Sequence, residues 1–250
     1  MIRPFKIAAA QINTLAGDID ENLKRHLVAI DVAIKRSVSA IVFPELSLIG
    51  YEPQLAAELA MNANDARFDP LRLRAKDYQI EISLGVPLAN PNGKPGLGAI
   101  IISSDGSSHT YHKMHLVGSE PQFFQPGTIN CSWDVQGTSI GVAICADASQ
   151  ESHPENYAQS GSQIYAASVF LTSEWYETDC PRLAAYSSRF EMLVLMANHA
   201  KTIGTYSSVG KSAAWAPDGR LLAQALGTEE CLVIAARHGT QWSAAIEQFG

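Results

Sequence analysis

Three residues of this sequence could form a nucleophilic centre: Cys145, Glu45 and Lys113. Cys145 directly follows the apolar run Gly141-Val142-Ala143-Ile144, so it stands where a buried strand meets a turn. A thiol at such a junction projects from rigid backbone, and the N–H groups of the turn can face a developing oxyanion. Glu45 follows Ile41-Val42-Phe43-Pro44, which forces its carboxylate to the edge of a sheet. A carboxylate beside a thiol can take its proton as a general base. Lys113, within Tyr111-His112-Lys113-Met114-His115-Leu116, also stands near a strand end. An ammonium withdrawn from water there can hold a thiolate or an oxyanion. Taken singly, each has a structural reading as well: a core-filling cysteine, a loop carboxylate or helix cap, an exposed strand lysine.

The remaining cysteines, Cys131, Cys180 and Cys231, are far from one another in sequence, and no CxxC occurs. They read as small apolar fillers rather than disulfide partners. His112 and His115 lack metal-ligand spacing and an accompanying carboxylate cluster, so no metal is expected. The glycines near 204–210 do not follow a strand in the order a phosphate-binding loop requires, and no nucleotide, flavin or other cofactor is expected.

The elements that must position these residues follow from periodicity. Residues 5–12 read as a buried strand, and Gly17-Asp18-Ile19-Asp20 as a capped helix start. Leu23, Leu27, Ile30 and Ile34 form an apolar stripe on that helix. Ser39–Phe43 is a short strand ended by Pro44. Leu55–Asp77 reads as helical with a break near Asn62–Asp65, and Gln79–Pro87 as a strand. Leu97–Ser103 and Ser107–Lys113 form a hairpin across Asp105-Gly106. Thr138–Ile144 is a strand stopping at Cys145. A helix from about Pro154, a strand at Ile164–Val169, a helix at Asp179–Arg189 and a strand at Met192–Asn198 follow. Lys211–Trp215 and Arg220–Ala225 flank the turn Pro217-Asp218-Gly219, and Cys231–Ala236 is the last strand. Strands with interspersed helices mean an α/β layered fold, and the hairpins make its sheet mixed rather than purely parallel. No linker or repeat is visible, so one domain over 1–250 is expected, with a core of about 5–236 and a C-terminal tail of 237–250.

Of the 250 residues, 46% are apolar and 17% charged, an ordinary globular composition. The net charge of −7 and the lack of a Lys/Arg cluster argue against nucleic-acid binding. No segment reaches the roughly 18 apolar residues of a membrane span. Arg3 and Lys6 precede a short apolar stretch, but Gln11 and Asn13 cut it too short for a signal peptide, so a cytoplasmic location is expected.

Phe43-Pro44-Glu45 with Gly50-Tyr51, then Tyr111 to Leu116, then Gly141 to Cys145, resemble the three signature segments of the nitrilase superfamily, in the family order Glu, Lys, Cys. Ala8-Ala9-Ala10-Gln11, Glu120 with Phe124-Gln125-Pro126-Gly127, Ala197-Asn198, and Gly210-Lys211-Ser212 through Pro217-Asp218-Gly219 extend the resemblance over residues 5–236. The resemblance implies a four-layer α-β-β-α sandwich with two mixed sheets, commonly assembled as a homodimer. It implies Cys145 as nucleophile, Glu45 as general acid and base, Lys113 and the Ala146 N–H as oxyanion donors, and Glu120 as a supporting carboxylate.

Three features depart from the family. Ala146 replaces a residue that is often aromatic, although Asp147 keeps the acid that follows. The arginine common shortly afterwards is absent from Ala148-Ser149-Gln150-Glu151-Ser152, and Arg189-Phe190-Glu191 matches only loosely. Substrate-pocket candidates are Tyr51, Phe124, Glu174, Trp175 and Tyr176, where an acid could select a cationic amine and an indole could wall an apolar chain. The expected substrate is a small linear amide or N-carbamoyl amine. The alternatives are a nitrilase or a non-catalytic binding protein on the same fold; three unused buried charged or polar groups would be costly for the latter. Glutamine-dependent amide transfer would call for a synthetase domain beyond these 250 residues, so that role is not expected.

Overall fold

A strand buried on both faces needs a partner on each edge to satisfy its backbone. Phe5–Gln11 (β1) is such a strand, buried almost throughout. It pairs in parallel with Ala40–Val42 (β2) and antiparallel with Cys231–His238 (β12). The computed structural model describes residues 4–201 and 206–249. Gly204, the first glycine of the 204–210 stretch, lies outside them, as do residues 1–3.

Around β1 a seven-stranded sheet runs in the order β13-β12-β1-β2-β3-β4-β5, with β3 at Glu81–Leu88, β4 at Gly96–Ile102, β5 at Ser108–His112 and β13 at Gln241–Gln248. The second sheet, β11-β10-β9-β8-β7-β6, uses Ser132–Val135 (β6), Thr138–Ile144 (β7), Ile164–Val169 (β8), Leu193–Asn198 (β9), Ala213–Trp215 (β10) and Leu221–Gln224 (β11). Each sheet has a parallel trio, β1-β2-β3 and β7-β8-β9, flanked by antiparallel strands. The sheets face each other through β1 and β9. Helices Ile19–Lys35 (α1) and Asp69–Tyr78 (α2) cover the first sheet, and Ser173–Arg189 (α5) covers the second. Two shorter helices, Glu120–Phe123 (α3) and Ser152–Gln159 (α4), follow β5 and β7. This is the expected four-layer α-β-β-α arrangement with two mixed sheets.

Helix α1 starts where its cap predicts: the Asp18 carboxylate accepts from the Glu21 N–H at 3.0 Å. Its buried face is offset from the predicted stripe. Leu23, Leu27 and Ile34 are only half-buried, while Asn22, His26, Ala29, Ile30 and Ala33 are buried. Asn22 and His26 can go inside because every contact they need is supplied there. Asn22 donates to the carbonyls of Leu15 and Leu48, and His26 bonds Ser47 Oγ at 2.9 Å.

Elsewhere three expectations are corrected. Residues 55–65 are not helical: only single 3-10 turns form at Pro53–Leu55 and Ala66–Phe68, because the Asn62 and Asp65 side chains take the N–H groups of Asn64 and Arg67. The expected tail of 237–250 is corrected over residues 237–248, since β12 continues to His238 and turns into β13, an edge strand whose polar alternation hid it. The last helix begins at Ser173, six residues before the predicted Asp179.

The backbone carrying Glu45 lies directly on β3. A Cβ on Gly85 would stand 2.2 Å from the Pro44 carbonyl oxygen and 2.5 Å from the Leu46 nitrogen. Glycine is therefore required for this close approach, which the Leu48 N–H fixes by donating to the Gly85 carbonyl at 3.0 Å. Gly85→Ala is expected to lower unfolding free energy by about 1–3 kcal/mol, the usual cost of overpacking, as read by denaturant unfolding.

Candidate active site

Strand β7 ends at Ile144, and the chain turns at once into a 3-10 helix, Cys145–Ser149. Cys145 takes φ = 44°, a left-handed conformation that costs a non-glycine residue about 1–3 kcal/mol. The turn is held because the Asp147 carboxylate reaches back to accept from the Ile144 N–H at 3.0 Å. Ala146 is buried, and its N–H belongs to the first helical turn, where no preceding carbonyl is in register to accept it.

Glu45, two residues beyond the last strand hydrogen bond of Phe43, and Lys113, directly after β5, are both fully buried. The Lys113 ammonium donates to Glu45 Oε1 and to Glu120 Oε1, each at 2.7 Å. Glu120 is itself held by the Val117 N–H, which donates to Oε2 at 2.9 Å. Glu45 Oε2 has no hydrogen-bond partner of regular geometry among the described residues. The Cys145 thiol interacts with the Glu45 carboxylate.

One cation between two buried carboxylates leaves an excess negative charge that the interior disfavours. Burial is accordingly the main cause that raises the Glu45 pKa to about 7; Lys113 opposes the rise and Glu120 adds to it. Burial also pulls the Lys113 pKa down, but Glu45, Cys145 and Glu120 more than reverse this and leave it above its ordinary value. Burial pushes the Cys145 thiol well up, Glu45 reinforces this, and Lys113 together with a backbone hydrogen bond from Phe170 opposes it. A carboxylate poised near neutrality beside a protonated thiol and a permanent cation can move a proton in either direction.

The supports of Glu45 were not legible in the sequence. His199, directly after β9, bonds the Glu45 carbonyl through Nε2 at 2.7 Å and Thr14 Oγ1 through Nδ1 at 3.3 Å. Burial keeps His199 and His26 neutral, with pKa values lowered to about 4. Asn198 accepts from the Leu171 N–H at 2.9 Å and donates to the Gly210 carbonyl at 2.7 Å, bracing the loops beyond β8 and β9. The only sequence signal for these groups was a polar pair, Asn198-His199, at the end of an apolar strand.

Tyr51 adopts φ = 52° and stacks on Phe170 with ring centroids 4.3 Å apart, and Tyr206 meets both rings edge-on. Burial is the leading cause that raises the Tyr51 hydroxyl pKa, followed by the charges of Glu45 and Cys145, which puts this aromatic wall beside the cluster. Phe124 is buried and packs in the hydrophobic core. Glu174 and Trp175 are exposed on the first turn of α5, Trp175 by 58%, and Glu174 makes no ion pair among the described residues. Tyr176 turns inward, with its hydroxyl bonded to Gln224 and the Lys211 ammonium 4.9 Å from its ring. The structure thus gathers Glu45, Lys113, Cys145, Glu120, Ala146 and Tyr51, while Glu174 and Trp175 are exposed and Tyr176 bonds Gln224.

Cys131, Cys180 and Cys231 are free thiols outside this cluster. No group of three or more His, Cys, Asp or Glu side chains among the described residues could hold a metal ion. No helix among them is long and apolar enough to cross a membrane.

A model of the carbon-nitrogen hydrolase family matches residues 6–245. A glutamine-dependent NAD(+) synthetase of Acinetobacter baylyi is 30% identical over 152 residues, covering 58% of this chain and 28% of the synthetase. The chain spans 31% and 41% of the length of two further synthetases of that name. A nitrilase of Pyrococcus abyssi is 24% identical over 236 residues, 92% of this chain and 88% of that protein. Among solved structures, an amidase variant from Nesterenkonia sp. AN1, bearing acrylamide added at its active-site cysteine, superposes with a TM-score of 0.83 at 24% identity, covering 92% of each chain.

The buried histidines set a pH dependence. His26, His153 and His199 each have folded pKa values of about 4, below their ordinary 6.5, so between these values the unfolded chain binds more protons. Their contribution to stability is complete above pH 6.5 and is lost as pH falls towards 4. Glu45, raised from 4.5 to about 7, and Asp179, also raised by burial, work the other way, but two carboxyls oppose five imidazoles, since burial lowers His109 and His112 as well. Thermal unfolding followed by circular dichroism should show Tm falling as pH is taken from neutral towards 5; a higher Tm at the acid end would contradict these assignments.

Proposed function

The chain belongs to the carbon-nitrogen hydrolase family, and from that premise we propose that it is an amidase of the nitrilase superfamily with Cys145 as nucleophile and a small linear amide or N-carbamoyl amine as substrate. The observation that carries this reading is the Lys113 ammonium held at 2.7 Å by two buried carboxylates, one of which, Glu45, also interacts with the Cys145 thiol. In the reaction Cys145 Sγ attacks the carbonyl carbon while Glu45 takes the thiol proton. The Lys113 ammonium and the Ala146 N–H stabilise the tetrahedral oxyanion. As the C–N bond breaks, Glu45 passes its proton to the leaving nitrogen, giving ammonia or an amine and a Cys145 thioester. Water then attacks the thioester, Glu45 takes its proton and returns one to sulfur, and the acid leaves. A pKa of about 7 suits Glu45 to both directions of transfer. Glu120 supports Lys113 rather than touching the substrate.

Neither the synthetase relatives nor the nitrilase relative fixes the acyl group, so glutamine belongs in the substrate panel beside simple amides, carbamoyl amines and nitriles. Ammonia release is expected from at least one amide or carbamoyl compound. Cys145→Ala should abolish it, and Glu45→Gln should lower kcat on the order of 10²–10⁴-fold, the usual worth of a general acid or base. Mass spectrometry should find the acyl adduct on Cys145 and not on Cys131, Cys180 or Cys231. Cleavage of nitriles with no turnover of any amide would replace this reading with a nitrilase, and persistence of activity in Cys145→Ala would remove the nucleophile. Assembly as a homodimer is part of the same proposal, and a sedimentation mass of one chain would refute it.

A further inference from the structure

Asp147 is fully buried two residues after Cys145, and its carboxylate receives five hydrogen bonds. Oδ1 accepts from the N–H groups of Met114 (3.0 Å) and His115 (2.9 Å) and from His115 Nδ1 (3.1 Å). Oδ2 accepts from the Tyr111 hydroxyl (2.7 Å) and the Ile144 N–H (3.0 Å). Four of these donors bracket Lys113 in sequence, and the fifth immediately precedes Cys145. One side chain therefore ties the end of β5 in the first sheet to the end of β7 in the second. Five donors on two oxygens match or exceed what a carboxylate can accept, so none of its lone pairs is left for a transferred proton.

The donors are themselves fixed. Tyr111 gives its one hydroxyl proton to Asp147, so His153 Nε2, 2.9 Å away, must donate to the Tyr111 oxygen. His153 Nδ1 then accepts from the Tyr165 hydroxyl at 2.9 Å. Tyr111, His153 and Tyr165 are all buried, which leaves Asp147 little freedom to move.

We propose that Asp147 is a positioning residue that sets the distance and direction of the Lys113 ammonium relative to the Cys145 thiol, by locking the turn that carries the thiol onto the strand end that carries the ammonium. The proposal rests on the assignment of Cys145 and Lys113 made above. Glu45 and Glu120 also hold the ammonium, and Glu45 meets the thiol itself, but among the described residues it is Asp147 that ties the backbone beside Lys113 to the backbone beside Cys145.

The sign of one measurement separates positioning from a bare charge effect. The groups acting on the thiol are Glu45, Lys113, Glu120 and the Phe170 backbone. If Asp147 positions Lys113, releasing the clamp withdraws the cation, and the thiolate forms only at higher pH. If Asp147 acted through its negative charge alone, neutralising it would favour the thiolate and move the titration to lower pH.

The test is the pH profile of Cys145 alkylation by iodoacetamide, followed by mass spectrometry on the whole chain. Asp147→Asn keeps the shape but turns an amide N–H₂ towards backbone donors. Its profile should move to higher pH, with alkylation at neutral pH slowed on the order of 10–100-fold. On any amide that the unaltered protein cleaves, kcat should fall on the order of 10²-fold with little change in KM. Tyr111→Phe removes one of the five donors and should shift the profile the same way by less, which keeps the test decisive if Asp147→Asn does not fold. An unmoved profile, or one displaced to lower pH, in either folded variant overturns the proposal even where Tm has dropped. Because alkylation needs no substrate, a failure to cleave any amide would count against the proposed function and not against the clamp.

Discussion

A buried ammonium clasped by two carboxylates is the interaction on which the rest of this structure depends. Breaking such a pair by removing one partner strands a charge in the interior at a cost of roughly 3–5 kcal/mol. Lys113 at full burial is therefore tolerable only with Glu45 and Glu120 both in place, and these arrive from separate parts of the chain. Glu45 follows a strand in the middle of the seven-stranded sheet, Lys113 follows the strand at that sheet's edge, and Glu120 opens a one-turn helix. Their convergence constrains the path of everything between them.

The second sheet supplies what the cluster acts upon. Cys145 leaves β7, Phe170 leaves β8 and His199 leaves β9, so the carboxyl ends of the parallel trio point their loops at the charged group. Contacts between the sheets keep this arrangement in register. Gln11, buried at the end of β1, accepts from the Ser212 N–H at 2.9 Å and donates to the carbonyls of Gly227 and Glu229. The Ala200 N–H donates to the Ile12 carbonyl at 3.0 Å. Since interiors pack like solids, such ties hold a reacting geometry more firmly than the surface loops could.

Three of the eight non-glycine residues in left-handed backbone among the described residues lie in this region. Cys145 and Tyr51 both sit in left-handed backbone, and Leu46, adjacent to Glu45, does so as well at φ = 49°. Each is a side chain with a Cβ in a conformation suited to glycine, and each is held by buried hydrogen bonds or ring stacking nearby. These turns carry a thiol, a carboxylate and an aromatic ring at the ends of the strands around the charged cluster.

The convergence of Glu45, Lys113 and Cys145 was legible in the sequence because its parts are short and local: an acid, a lysine and a cysteine, each at the end of an apolar run. Strand positions such as Thr138–Ile144 and Ile164–Val169 were equally legible, since runs of buried apolar residues bounded by polar ones carry their own ends. Edge strand β13 was not, because half of it faces water and only pairing with β12 makes it a strand. Helix α1 was readable as a helix, yet its buried face admits Asn22 and His26, which depends on acceptors and donors that only folding brings near. Phe124 and the residues Glu174, Trp175 and Tyr176 show the same limit from the other side: their types suit a pocket, but burial or exposure is set by packing. What the tertiary structure alone decided is the set of long-range partners, Asp147 with Met114 and His115, and His199 with the Glu45 carbonyl. Hydrogen bonds between residues tens of positions apart leave no spacing rule in a chain, because their geometry exists only once both sheets are in place.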